Sequence, residues 1–93
     1  MRTRKYGKPD RNQADIVAAL RQIGAGVEII SGLGEGVPDL LVGWQRRNIL
    51  LEIKMPGEKL TSAEEKFRAA WPGEYRVVET VAQAIYCVTR ARM

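Results

Sequence analysis

The apolar positions of this 93-residue chain change period along its length. Ile16, Val17, Leu20 and Ile23 recur at i, i+1, i+4 and i+7, the spacing of one buried helical stripe. Asp10 stands before that stripe as an N-cap, Gln13 occupies the capping-box position, and Gly24 and Gly26 end the helix. Residues 27–31, 37–44 and 49–55 read as strands, with a glycine-rich loop at 32–36 and a polar turn at 45–48 between them. Pro38 suits a strand start or an edge, and Pro56-Gly57 breaks the third strand. Thr61 with Glu64 opens a second helix reaching about Trp71. A short strand follows at 75–79, and Thr80 with Gln83 opens a last helix striped by Val81, Ile85 and Val88.

This order, αβββαβα, predicts an α/β domain over 10–93, with a flexible basic arm at 1–9 before it. Three strands in a meander, extended by a strand reached through a crossover helix, give a mixed β-sheet flanked by helices. The last helix can join the layer of the first or cover the other face.

The third strand carries two charges inside an apolar run, which is rare unless they are paired or functional. Strand alternation puts Leu50, Glu52 and Lys54 on one face and Ile49, Leu51, Ile53 and Met55 on the other. A hairpin turn centred on Arg46-Arg47 pairs Leu41 with Glu52 and Asp39 with Lys54, so Asp39 joins the charged face. A register shifted by one residue would remove it. Two carboxylates make a hard oxygen site for Mg²⁺ or Mn²⁺, which lowers the pKa of bound water. A neighbouring lysine can orient the attacking water or neutralise charge on a phosphate in transit. The plainer alternative is an ordinary strand ion pair beside a turn aspartate.

Composition narrows the chemistry further. There are 15 Lys+Arg against 11 Asp+Glu, a formal net charge of +4 that suits an anionic partner, with nucleic acid foremost. The absence of histidine excludes Ser-His-Asp and Cys-His sites, and a lone Cys87 excludes an internal disulfide or a cysteine-based zinc site. The glycines at 32–36 lack the Lys-Ser/Thr ending of a phosphate-binding loop. No apolar run nears the ~20 residues of a membrane span. The basic start at 1–5 leads into no signal segment, so the expectation is a cytoplasmic protein.

Gly36-Val37-Pro38-Asp39-Leu40-Leu41-Val42-Gly43, then Leu51-Glu52-Ile53-Lys54, then Lys59-Leu60-Thr61 resemble the PD-(D/E)xK nucleases, and within them the virus-type replication-repair (VRR-NUC) domains. The first-helix segment Asn12-Gln13-Ala14-Asp15-Ile16-Val17 and the element order also match, so the resemblance covers residues 10 to about 90. It implies a restriction-endonuclease-like core and a Mg²⁺- or Mn²⁺-dependent DNA endonuclease, with one or two metals left open. Asp39, Glu52 and the backbone carbonyl of Ile53 would bind the metal, and Lys54 would be the catalytic lysine. Asp15 corresponds to a first-helix acid often found in such sites, or is a solvated helix residue. Glu64 falls where the family often has glutamine, and serves either the site or its capping box.

Stand-alone domains of this kind resemble archaeal and phage junction resolvases acting in DNA repair. That implies a homodimer selective for branched DNA such as Holliday junctions. Trp44 and the last helix near Tyr86 are the apolar residues left for such an interface, while Trp71 reads as core. DNA contacts would come from Arg2, Arg4, Lys5 and Lys8 of the arm, the Arg46-Arg47 turn and Lys59. Two other readings stay open: a less selective or restriction-like nuclease or nickase, and an inactive basic DNA-binding module.

Overall fold

The computed structural model describes the backbone of residues 7–90 and the side chains of residues 12–90. The elements run α1 (Gly7–Gln22), β1 (Gly26–Ile29), a short 3₁₀ turn (Ser31–Leu33), β2 (Leu40–Trp44), β3 (Arg47–Ile53), α2 (Ser62–Ala70), β4 (Glu74–Val78) and α3 (Val81–Thr89). The order αβββαβα is the one expected. Helix α1 begins three residues before Asp10, because Pro9 lies in its first turn, where a missing N–H breaks no helical bond. The basic arm therefore does not extend to residue 9. Residues 1–6, with Arg2, Arg4 and Lys5, lie outside the described residues, as does the side chain of Lys8.

The four strands form one mixed sheet in the order β1-β2-β3-β4, antiparallel except for the parallel pair β3–β4 that α2 connects. The β2–β3 hairpin differs from expectation in register. Trp44 faces Arg47 and Leu40 faces Leu51, so the turn is Gln45-Arg46 alone. Both of these residues have positive φ, 50° and 69°, as a two-residue type I′ hairpin requires. Each pairing thus moves by two residues, and a shift of two leaves every side chain on its original face. Arg47 becomes the first residue of β3 instead of part of the turn.

One face of the sheet carries the core. Val27, Leu40, Val42, Ile49, Leu51 and Val78 pack there against Ile16, Val17 and Leu20 of α1 and Ala84 and Val88 of α3. α1 and α3 therefore form one layer. α2 lies over the other face, where Phe67 meets Tyr75 with ring centroids 6.2 Å apart and Trp71 stacks on Phe67. Trp71, the C-cap of α2, is 44% exposed, a surface residue and not core. Trp44, by contrast, packs against the core, and Tyr86 is exposed.

Candidate active site

The site is built where β2 begins and β3 ends. Pro38 is fully buried, which fixes the chain entering β2. Gly36, at φ +81°, lies so close to α2 that a Cβ there would sit 2.2 Å from the Ala63 carbonyl oxygen. That contact holds the start of α2 beside the start of β2. Continuing the ladder one step past Leu40–Leu51 sets Asp39 opposite Glu52, not Lys54 as the wider turn implied. The ladder bonds stop there, and the Ile53 N–H donates to Asp39 Oδ2 at 2.7 Å instead. Lys54 continues beyond β3, anchored by its N–H to the Val78 carbonyl at 2.9 Å.

Glu52 and Lys54 are the buried charged residues of the described fold, 3% and 6% exposed. Lys54 Nζ lies 2.7 Å from Glu64 Oε1, 3.7 Å from Glu52 Oε2 and 3.9 Å from Glu58 Oε2. Glu64 makes its capping box and also pairs with Lys54. Its carboxylate accepts from the Thr61 N–H at 2.8 Å while its own N–H donates to Thr61 Oγ1, completing the capping box, and it also holds Lys54. Glu58 sits on a turn closed by its N–H to the Met55 carbonyl, and its Oε1 accepts from the Met55 N–H at 2.8 Å. Glu52 Oε1 is buried without any hydrogen-bond partner.

A cavity of about 230 Å³ opens on this cluster. Asp39, Glu52, Glu58, Glu64 and Lys54 line it together with Ile53, Met55, Asn12, Gln13 and Ser31. Asp15 does not line it; it is exposed on α1. The amides Asn12 and Gln13 reach the cavity because they stand one turn before Ile16 and Val17, on the face that packs against the sheet. That spacing was available in the sequence. Glu58 could have been noticed four residues after Lys54, but only the turn at Pro56-Gly57 brings it back.

Electrostatics follow from burial and crowding. Burial pushes Asp39 above the usual carboxylate range, outweighing the Ile53 N–H and the Lys54 charge. Burial first, then the charges of Asp39 and Glu64, push Glu52 up to about 8. Burial alone would lower the Lys54 ammonium, but the hydrogen bond and charge of Glu64, with Glu52 and Glu58 beyond, raise it. Burial alone would raise Glu64, but Lys54 and the Thr61 N–H lower it. Lys54 is therefore held as an ammonium beside these acids, a hydrogen-bond donor.

The expected DNA-contact residues divide. Lys59 is exposed in the loop beside Glu58. Arg46 is exposed at the hairpin tip, at the other end of β3 from the cluster. Arg47 is spent inside the fold: its guanidinium pairs with Glu74 at 2.8 Å and donates to the Val88 carbonyl at 2.8 Å, closing the C-terminus of α3. It is not a free DNA contact, because the register puts it on the face under α3.

Compared with known proteins, the chain matches no family model and no curated protein. A solved structure described as a "VRR_NUC domain" aligns with it at a TM-score of 0.69, covering 91% of this chain and 98% of that one. The chain has the VRR_NUC fold. Sequence identity is 23%, so the likeness is one of architecture. In this VRR_NUC fold, a four-stranded mixed sheet between helical layers, the acidic cluster lies at the end of β3.

Proposed function

We propose that the protein is a divalent-metal-dependent endonuclease that hydrolyses phosphodiester bonds of DNA, with branched DNA such as Holliday junctions as its preferred substrate. The observation that carries the reading is the buried Glu52 Oε1, left without a partner opposite Asp39 in the VRR_NUC fold. A carboxylate desolvated beside two others calls for a cation. The donor set fits a hard ion: Asp39 and Glu52 would hold Mg²⁺ or Mn²⁺ with the Ile53 carbonyl. Among the described residues no group of three or more acidic or cysteine side chains is placed to hold an ion, so the Ile53 carbonyl, water and substrate would have to complete the coordination. Bound there, the metal would lower the pKa of water and neutralise phosphate charge.

The chain's own residues do the rest. Asp39 is oriented by the Ile53 N–H, which fixes one wall of the site. Lys54, kept protonated by Glu64, donates to the attacking water or to a non-bridging phosphate oxygen. Glu64 ties this lysine to the first turn of α2, so the ammonium is held in place before substrate arrives. Asn12, Gln13 and Ser31 supply uncharged hydrogen-bonding groups where the sugar-phosphate backbone would lie. In this reading the protein works as a homodimer. Exposed Tyr86 and Val77 flank a surface groove over edge strand β4 and α3 that a second copy would cover.

The deciding experiment incubates the full chain with a four-way junction, flaps and plain duplex, with Mg²⁺ and with EDTA, beside a sedimentation measurement of mass. Metal-dependent cuts favouring the junction, absent in Glu52→Gln, would support the reading. Equal cutting of all substrates would discard junction selectivity. DNA binding without product in Mg²⁺ or Mn²⁺ would leave a binding module.

A further inference from the structure

Tyr75 is half-buried, and the mechanism above does not use its polar atom. Its hydroxyl, like Glu52 Oε1, is buried without a hydrogen-bond partner. The two are neighbours in the sheet. Tyr75 stands on β4 opposite Leu50, and Glu52 stands on β3 opposite Val77, so they are one diagonal step apart on the same face. Diagonal neighbours of this kind lie within reach of aromatic side chains. The ring is held from above by Phe67 of α2, which is itself stacked on Trp71. Burying a hydroxyl unsatisfied is costly, and phenylalanine would fill the same space without that penalty. Two buried oxygens without hydrogen-bond partners therefore share one covered face.

We propose that Tyr75 is the positioning residue of Glu52, its hydroxyl donating to Glu52 Oε1 directly or across one buried water. The inference rests on the metal-site reading above and adds a residue to it. A carboxylate oxygen has two lone pairs, so Oε1 can accept this bond on one and take a cation on the other. The hydroxyl would then fix the carboxylate's orientation as outer partners of metal ligands do, where their loss typically weakens binding about 10–100-fold. The negative charges of Glu52 and Glu64 also reach Tyr75: burial first, and then these two, push its hydroxyl up to about 12, so it stays a donor throughout.

The test titrates Mn²⁺ into the metal-free full chain by calorimetry, comparing the wild type with Tyr75→Phe and Phe67→Leu, and melts each in EDTA. The inference expects Tyr75→Phe to bind Mn²⁺ at least about 10-fold more weakly while still melting cooperatively in EDTA as a folded protein. Phe67→Leu, which loosens the same packing but keeps the hydroxyl, should retain wild-type affinity. Equal Mn²⁺ affinity in Tyr75→Phe and wild type would overturn this inference alone. Equal loss in both variants would assign the effect to packing and overturn it too. No Mn²⁺ binding by the wild type would overturn the metal-site reading, and this inference with it.

Discussion

Glu52 is a carboxylate placed where ionisation is costly, and that cost is readable as a pH dependence. Its folded pKa, about 8, lies above the ordinary 4.5, so between those values the folded protein binds more protons than the unfolded chain. Stability then falls as pH rises through this window, and is fully present below it. In EDTA, the wild type should melt several degrees lower at pH 8.5 than at pH 5.5, Glu52→Gln should flatten that difference, and added Mg²⁺ should reduce it. A melting temperature that rises with pH in EDTA would contradict the assignment. Lys54 has the opposite character, a cation stabilised by three acids. Lys54→Met should lower kcat about 10²–10⁴-fold with DNA affinity retained, measured by single-turnover cleavage. At this scale much was legible: Asp39, Glu52 and Lys54 follow from alternation along one hairpin. What was not legible depends on loops and distant elements. Glu58 needs the turn at Pro56-Gly57, Tyr75 needs the parallel register, and Arg47 needs the carbonyls of α3.

Elements decide the site through two close fits. The first is the hairpin turn, where Gln45 and Arg46 both occupy the left-handed region without being glycine. Such backbone costs a non-glycine residue roughly 1–2 kcal/mol, partly offset by the freedom glycine has when unfolded. Arg46→Gly should therefore stabilise the protein by about 0.5–1 kcal/mol, a rise of a few degrees in melting temperature. The second is Gly36 against the Ala63 carbonyl. An added methyl must displace backbone, and the positive φ adds strain, so Gly36→Ala should cost about 2–4 kcal/mol in urea unfolding. Because the displaced element is α2, the same variant should also loosen Glu64 from Lys54. Type, order and number of elements were legible because each has its own period and its own stop signal. The exact hairpin register was not, since nothing in Gln45-Arg46-Arg47-Asn48 favours one turn over another without glycine or asparagine at the tip. The site survived that ambiguity because the two registers differ by an even number of residues.

For the molecule as a whole, the net charge of +4 and the charge of the cavity have opposite signs. Asp39, Glu52, Glu58 and Glu64 face a single lysine there, so the cavity repels a phosphate until a cation enters. In the proposed reading, attraction to DNA comes from basic residues outside it, which separates binding from cutting. Lys59 is exposed in the loop beside Glu58, whereas Arg46 stands just beyond Arg47, whose end of β3 lies about 17 Å from Glu52 at ~3.3 Å per residue. Along a duplex at 3.4 Å per base pair that distance is about five base pairs. Measured by fluorescence anisotropy in EDTA at pH 8.5, where Glu52 is ionised, Glu52→Gln should bind a DNA junction over a salt series at least as tightly as wild type, since it removes repulsion. Lys59→Ala should bind more weakly, with the slope of log affinity against log salt reduced in magnitude by about 0.9, the value of one phosphate contact. If Glu52→Gln bound more weakly and Lys59→Ala were unchanged, the acidic cavity itself would have to be the binding determinant. The division between a basic surface that holds DNA and an acidic cavity that cuts it would then be wrong.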